Sequence, residues 1–257
     1  MLDNFSGKRS VGVGLFLIML AGMACSTLAQ ALAASRNPPQ REAVVLLHGL
    51  ARTHRSMRPM QRELTAAGYA VYSFRYPSRE KTVERIVEED FVPFLAQCQS
   101  NNPAIIHFVA HSLGAIVLRQ YFAHHTLKNA GRIVMLGPPN QGSEVVDKLG
   151  DYAPFDWVNG PAGQQLGTSS NSLPNRLPAP PGEFGVIAGT RSINWILSCL
   201  IPGPDDGKVS LERVKLAGAA DFATVKASHP FLMKDKAAIA LTLRFLRQGS
   251  FKADQVK

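Results

Sequence analysis

Ala104-Ile105-Ile106-His107-Phe108-Val109-Ala110-His111-Ser112-Leu113-Gly114-Ala115-Ile116-Val117-Leu118 is the stretch from which the fold can be read. Its first part, residues 104–109, is a short apolar run preceded by Asn101-Asn102-Pro103, which predicts a buried strand. Its second part predicts a helix over residues 113–125. Ser112 then lies on a sharp strand-to-helix turn. Such a turn needs small residues two positions before and two positions after the serine, because larger side chains would strike the flanking strand or helix. Ala110 and Gly114 meet that requirement.

The same alternation extends outward in both directions. Upstream, residues 43–47 (Ala-Val-Val-Leu-Leu) read as a buried strand ending at His48-Gly49. Met57, Met60 and Leu64 mark a helix over 56–67, closed by Gly68 as a C-terminal cap. A strand follows over 69–74 and breaks at Pro77-Ser78. Val83, Ile86, Val87, Phe91, Phe94 and Leu95 then recur at helical spacing as far as Gln99. Downstream, residues 132–136 predict a strand ending in Gly137-Pro138-Pro139. This β-α-β-α-β-α-β order predicts an α/β domain: a mostly parallel central sheet with helices on both faces and the site at its carboxyl edge.

Beyond this unit, residues 151–181 lose periodicity. They are rich in Gly, Pro, Ser and Asn, with isolated Tyr152, Phe155, Trp157 and Leu166, and read as a long loop: a lid, a wall of the site, or a surface loop. A strand is expected over 184–188, another over 213–216 or 222–225, and a last helix over 230–246. The polar tail, residues 248–257, is expected to fray.

A chain of 257 residues, 46% hydrophobic and 18% charged, suits one globular domain, placed at 42–247. Lys8-Arg9, the apolar run 11–24 and the small residues 26–34 form a secretory signal pattern over 1–34, with Ala29-Gln30-Ala31 and Ala31-Leu32-Ala33 as cleavage candidates. An uncleaved N-terminal membrane anchor is the alternative; lipid attachment at Cys25 is weaker because Gly22-Met23-Ala24 lacks the expected large aliphatic residue. The protein is therefore expected to be exported, periplasmic or secreted. Cys98 and Cys199 are read either as a disulfide or as two packed thiols. The net charge of +9 is compatible with a membrane surface, but the scattered Arg and Lys show no nucleic-acid-binding signature, and no nucleic acid is expected as a partner.

The chemistry centres on Ser112. A serine hydroxyl needs a base to take its proton, and the base needs an acid to orient it. In the chain order Ser, acid, His, the base is His229, within Ala227-Ser228-His229-Pro230; His124 and His125 fall at a helix end. His48, His54, His107 and His111 read as structural. The acid is Asp206 or its neighbour Asp205, in Pro204-Asp205-Asp206-Gly207, with Asp206 preferred and Asp147 and Asp221 less suitably placed. Two backbone N–H groups, of Leu50 and Leu113, are the candidate donors for an oxyanion.

His48-Gly49-Leu50, Ala110-His111-Ser112-Leu113-Gly114, Gly137-Pro138-Pro139-Asn140-Gln141-Gly142-Ser143, Asp206-Gly207 and His229 together resemble bacterial lipases and esterases of the α/β-hydrolase fold. Ala110 departs from the G-x-S-x-G form. The resemblance implies Asp206 as the acid, Asn140 and Ser143 lining the site, no cofactor, no catalytic metal, and a small-molecule or lipid ester as substrate. The same three residues would also serve an acyltransferase, amidase or thioesterase, and a silent hydrolase-fold envelope protein is the non-enzymatic alternative.

Overall fold

In a computed structural model, residues 42–150, 153–193 and 198–253 are described; the segment 1–34, expected to be a secretory signal, lies outside them. The elements begin with β1 (Ala43–Leu47), a 3₁₀ turn (His54–Met57), α1 (Arg58–Ala66) and β2 (Ala70–Phe74). Next comes α2 (Val83–Arg85), which runs through a π-helical stretch (Ile86–Phe91) into α3 (Val92–Ser100). β3 (Ile106–His111), α4 (Leu113–His124), β4 (Ala130–Leu136) and α5 (Glu144–Leu149) complete the first half. The rest comprises α6 (Ala153–Gln164), α7 (Leu173–Arg176), β5 (Phe184–Gly189), β6 (Asp221–Val225), a 3₁₀ turn (His229–Lys234) and α8 (Lys236–Gln248).

The six strands form one parallel sheet in the order β2-β1-β3-β4-β5-β6. Successive side chains of β1 face opposite ways. Ala43, Val45 and Leu47 join Phe74, Phe91 and Ile116 on one face, while Val44 and Leu46 join Met60, Leu64 and Phe245 on the other. An interior parallel strand covered on both faces must be apolar at every position, which is why residues 43–47 read as an unbroken run. The edge strands β2 and β6 are only partly buried. Strand order reverses at β1, so the crevice between the carboxyl ends of β1 and β3 is where a ligand is expected in such a sheet.

Two expectations change, and one left open is decided. Residues 151–181 are not simply a loop: they hold α6, broken at Gly160, and α7. Short helices interrupted by Gly and Pro leave no apolar period, so the pattern was invisible. Of the two positions expected for the following strand, 222–225 is the one that forms, as β6. The tail does not fray where it is described. Gly249 caps α8 in a left-handed conformation, the Phe251 ring packs on Phe245 (centroids 4.8 Å apart), and Asp221 Oδ2 accepts from Ser250 Oγ and the Phe251 N–H. Cys98 is buried and Cys199 exposed, and both are free thiols.

One buried cation ties these parts together. Arg119, on α4, is 1% exposed, and its guanidinium donates to the carbonyls of Asn140, Pro174, Leu177 and Pro178 and to Asn140 Oδ1. Burial lowers its pKa to about 10, so it stays charged at neutral pH. The acceptors are dipoles from three segments rather than one carboxylate. Among the described residues, no helix is long and apolar enough to cross a membrane. Phe251→Ala is expected to cost roughly 3 kcal/mol in urea unfolding, the scale of a buried aromatic truncation; a change within error would mean the tail is only loosely docked.

Candidate active site

β3 ends at His111, and α4 begins at Leu113, leaving Ser112 alone to reverse the chain at φ 53°, ψ −121°. A non-glycine residue in this region carries a strain on the order of 1–3 kcal/mol and persists only where its surroundings hold it. Here the Ser112 N–H donates to the Leu136 carbonyl (2.9 Å), and the Ala115 N–H donates to the Ser112 carbonyl (2.9 Å). The helix passes very close to β1: a Cβ at Gly114 would sit 2.8 Å from the carbonyl oxygens of Leu47 and His48. Ala110 is fully buried on the other side.

Ser112, His229 and Asp206 meet in series. Asp206 Oδ2 accepts from His229 Nδ1–H at 2.7 Å, and Ser112 Oγ donates to His229 Nε2 at 2.9 Å. Placing the proton on Nδ1 follows from the carboxylate, which can only accept. The other oxygen, Oδ1, accepts the N–H groups of Lys208 and Val209, each at 3.0 Å, and the His229 N–H donates to the Asp206 carbonyl at 2.8 Å. A carboxyl group that is 1% exposed therefore has both oxygens engaged, by three N–H donors. Asp205 is turned elsewhere, accepting from Ser198 Oγ and the Gly207 N–H. Gly137 closes over the pair: at its φ of +54°, a Cβ would lie 3.1 Å from Asp206 Oδ2 and 3.2 Å from His229 Nδ1.

Leu50 lines the cleft beside Ser112, and Leu113 is the first residue of α4, so both candidate donors border the serine. The loop after β1 is braced from the segment that follows β2. Tyr76 Oη donates to the His48 carbonyl (2.5 Å) and stacks on the His48 ring, and the Ala51 N–H donates to Ser78 Oγ (3.2 Å). His111, the residue before the serine, donates Nε2–H to the His229 carbonyl (3.0 Å) and so fixes the main chain of His229. Tyr76, Ser78 and His111 carry no sequence signal for these tasks; they are set by register across the sheet. His107 is buried, accepting the Arg132 N–H and facing Glu42, and His125 pairs with Glu88 at the helix end.

The cleft over Ser112 is narrow, with a cavity volume of about 80 Å³. Val145, Val146 and Leu166 form an apolar wall, and Ser143, Asn159 and Pro139 complete that side. Asn159 and Leu166 bring the 151–181 segment into the site. Tyr152 and the side chains of Phe155 and Trp157 fall outside the described residues. Ser143 lines the cleft and donates to the Lys208 carbonyl (2.7 Å). Asn140 does not line it: it is buried, bound by Arg119 and donating to the Val214 carbonyl (2.8 Å), which corrects its expected role to one of holding the loop. Arg52 and Lys208 stand at the opening. Among the described residues, no group of three or more His, Cys, Asp or Glu is placed to hold a metal ion.

A six-stranded parallel sheet with a strained serine between its third strand and the following helix defines the class. The chain belongs to the alpha/beta hydrolase family, whose model matches residues 44–242. Among solved structures it is similar to a lipase from Bacillus licheniformis in its mature form, at 18% identity and a TM-score of 0.67, covering 82% of this chain and 94% of that one. It is also similar to a metagenomic carboxyl esterase (17% identity, TM-score 0.53, 75% and 65% coverage) and to an enol-lactonase from Burkholderia xenovorans (15% identity, TM-score 0.53, 83% and 94% coverage). At these identities the likeness is one of fold. No curated protein matches the sequence.

Burial lowers the pKa of His48 to about 4 and holds that of His111 well below the ordinary histidine value. Below pH 6.5 the unfolded chain protonates both rings while the folded protein keeps them neutral. Stability therefore falls as the pH drops from 6.5 to about 4, by roughly 3 kcal/mol for His48 alone. Urea midpoints measured across that window are expected to decline with pH, and His48→Gln is expected to flatten the slope. An unchanged slope in the variant would mean His48 is protonated in the fold.

Proposed function

We propose that the protein is a serine hydrolase of carboxylic esters that works through an acyl-enzyme, with Ser112 as nucleophile, His229 as base and Asp206 as acid. The observation that carries this reading is the unbroken hydrogen-bond series from Asp206 through His229 to Ser112 Oγ, at the floor of a partly apolar cleft. In the first step Ser112 Oγ bonds to the ester carbonyl carbon and its proton passes to His229 Nε2. The carbonyl oxygen becomes an oxyanion facing the N–H groups of Leu50 and Leu113, and collapse expels the alcohol, which takes the proton from His229. In the second, water gives a proton to His229 and attacks the acyl carbon; the acid leaves and Ser112 Oγ recovers its proton. Asp206 keeps its charge and stabilises the imidazolium formed in both steps.

The apolar wall of Val145, Val146 and Leu166 supports an acyl chain on that side. Export is part of the same proposal and is supported by the N-terminal signal pattern alone. The test is hydrolysis of p-nitrophenyl esters from short to long acyl chains. Ser112→Ala is expected to lower kcat by about 10⁴-fold or more with urea stability retained. Wild-type inactivity on the whole series, or a Ser112→Ala enzyme as active as wild type, would refute the reading.

A second comparison assigns the acid. Asp206→Asn is expected to reduce kcat by on the order of 10⁴-fold, since the amide presents His229 in the wrong tautomer, while Asp205→Asn stays within about tenfold. The reverse ranking would move the acid to Asp205.

A further inference from the structure

The rim of the cleft is charged with one sign. Arg52 and Lys208 line it, and among the described residues no carboxylate does. The nearby acids are already committed: Asp206 to His229, Glu144 to Ser210 and Arg213, and Asp147 to Thr168. Neither cation makes a side-chain hydrogen bond or ion pair with a described residue, in contrast to Lys81 on Asp90 or Arg132 on Glu183.

Both cations are also rooted close to the reacting centre. Lys208 follows the acid by two positions, with its N–H on Asp206 Oδ1 and its carbonyl on Ser143 Oγ, so its side chain starts from a fixed point. Arg52 follows Leu50 by two positions, after Ala51 turns the chain at φ +52°. Burial of the ammonium, and then the charge of Arg52 beside it, lower the Lys208 pKa, although much of the side chain still meets solvent. Two like charges facing one confined space create a field that a bound anion would relieve, and low-dielectric walls strengthen that field.

We propose that the cleft selects esters carrying an anionic group, a carboxylate or phosphate away from the scissile carbonyl, with Arg52 and Lys208 as the specificity-determining residues. Arg52 offers a planar fork for two oxygens and Lys208 a point charge. The proposal rests on the ester-hydrolase reading, and it places the anion on either the acyl or the alcohol side of the ester.

The experiment compares kcat/KM within two pairs on the purified protein. The acyl-side pair is p-nitrophenyl hydrogen glutarate and p-nitrophenyl pentanoate; the alcohol-side pair is butanoyl glycerol phosphate and butanoyl glycerol, followed by butanoate release. Each value is divided by the ester's own rate with hydroxide. In one pair the anionic member is expected to be preferred by about tenfold or more, mainly through KM and less so at high salt. The double variant Arg52→Gln, Lys208→Gln is expected to bring that ratio close to one, and Arg52→Lys, Lys208→Arg to restore most of it. Wild-type turnover of the neutral esters with no anionic preference in either pair overturns the proposal and leaves the ester hydrolase standing. A preference that survives in the double variant overturns it as well. No turnover of any of the four esters, together with no labelling of Ser112 by a phosphonate, removes the hydrolase reading and this proposal with it.

Discussion

The close approach of α4 to β1 is the constraint on which the rest of the structure depends. Gly114 lies against the carbonyls at the end of β1, and only with that contact can the chain turn from β3 into α4 through a single left-handed serine. The turn lifts Ser112 out of the sheet's carboxyl edge, and the loop after β1 is thereby brought alongside it. The strain at Ser112 is not relieved locally. It is carried by the packed sheet on both sides, whose strands β1, β3 and β4 are buried against two separate apolar clusters.

On this frame the polar groups are placed by exclusion of water. Asp206 is almost fully buried, which is tolerable because two N–H groups and one imidazole N–H meet its oxygens. The two N–H groups belong to Lys208 and Val209, so the turn that satisfies the acid also sets the root of a cation at the cleft. His111 and His48 remain neutral because burial outweighs their partners, and neutrality lets each act as a fixed hydrogen-bonding strut.

Arg119 links the helix that follows Ser112 to the parts of the wall that carry no sheet structure. Its five donors reach carbonyls on the Asn140 loop, on α7 and on the segment that follows. A guanidinium that is always charged and has a planar fan of donors suits such a task better than a lysine would. The wall of the cleft and the serine are therefore parts of one connected unit.

Much of this was legible in the chain itself. Unbroken apolar runs predict interior parallel strands, and the small residues around Ser112 predict the turn, because each depends on local sterics and on a period that sequence preserves. The order of Ser112, the aspartate pair and His229 likewise narrows the candidates to a few side chains. Other features were not legible. Asp205 and Asp206 are chemically identical neighbours, and only the turn at Gly207 decides which one faces His229. The α6 segment has no continuous period, Asn140 is withdrawn from the cleft by Arg119, and Phe251 finds its pocket across α8. Arg52 and Lys208 read as scattered surface charge until parallel pairing in the sheet brings the loop after β1 and the turn after Asp206 to the same edge. The sequence by itself determined the strands, the turn at Ser112 and the chemical types available at the site, because those rest on local periodicity and size. Only the tertiary structure decided which side chains meet and which way they face, because contacts between residues far apart in the chain depend on how the whole sheet is ordered.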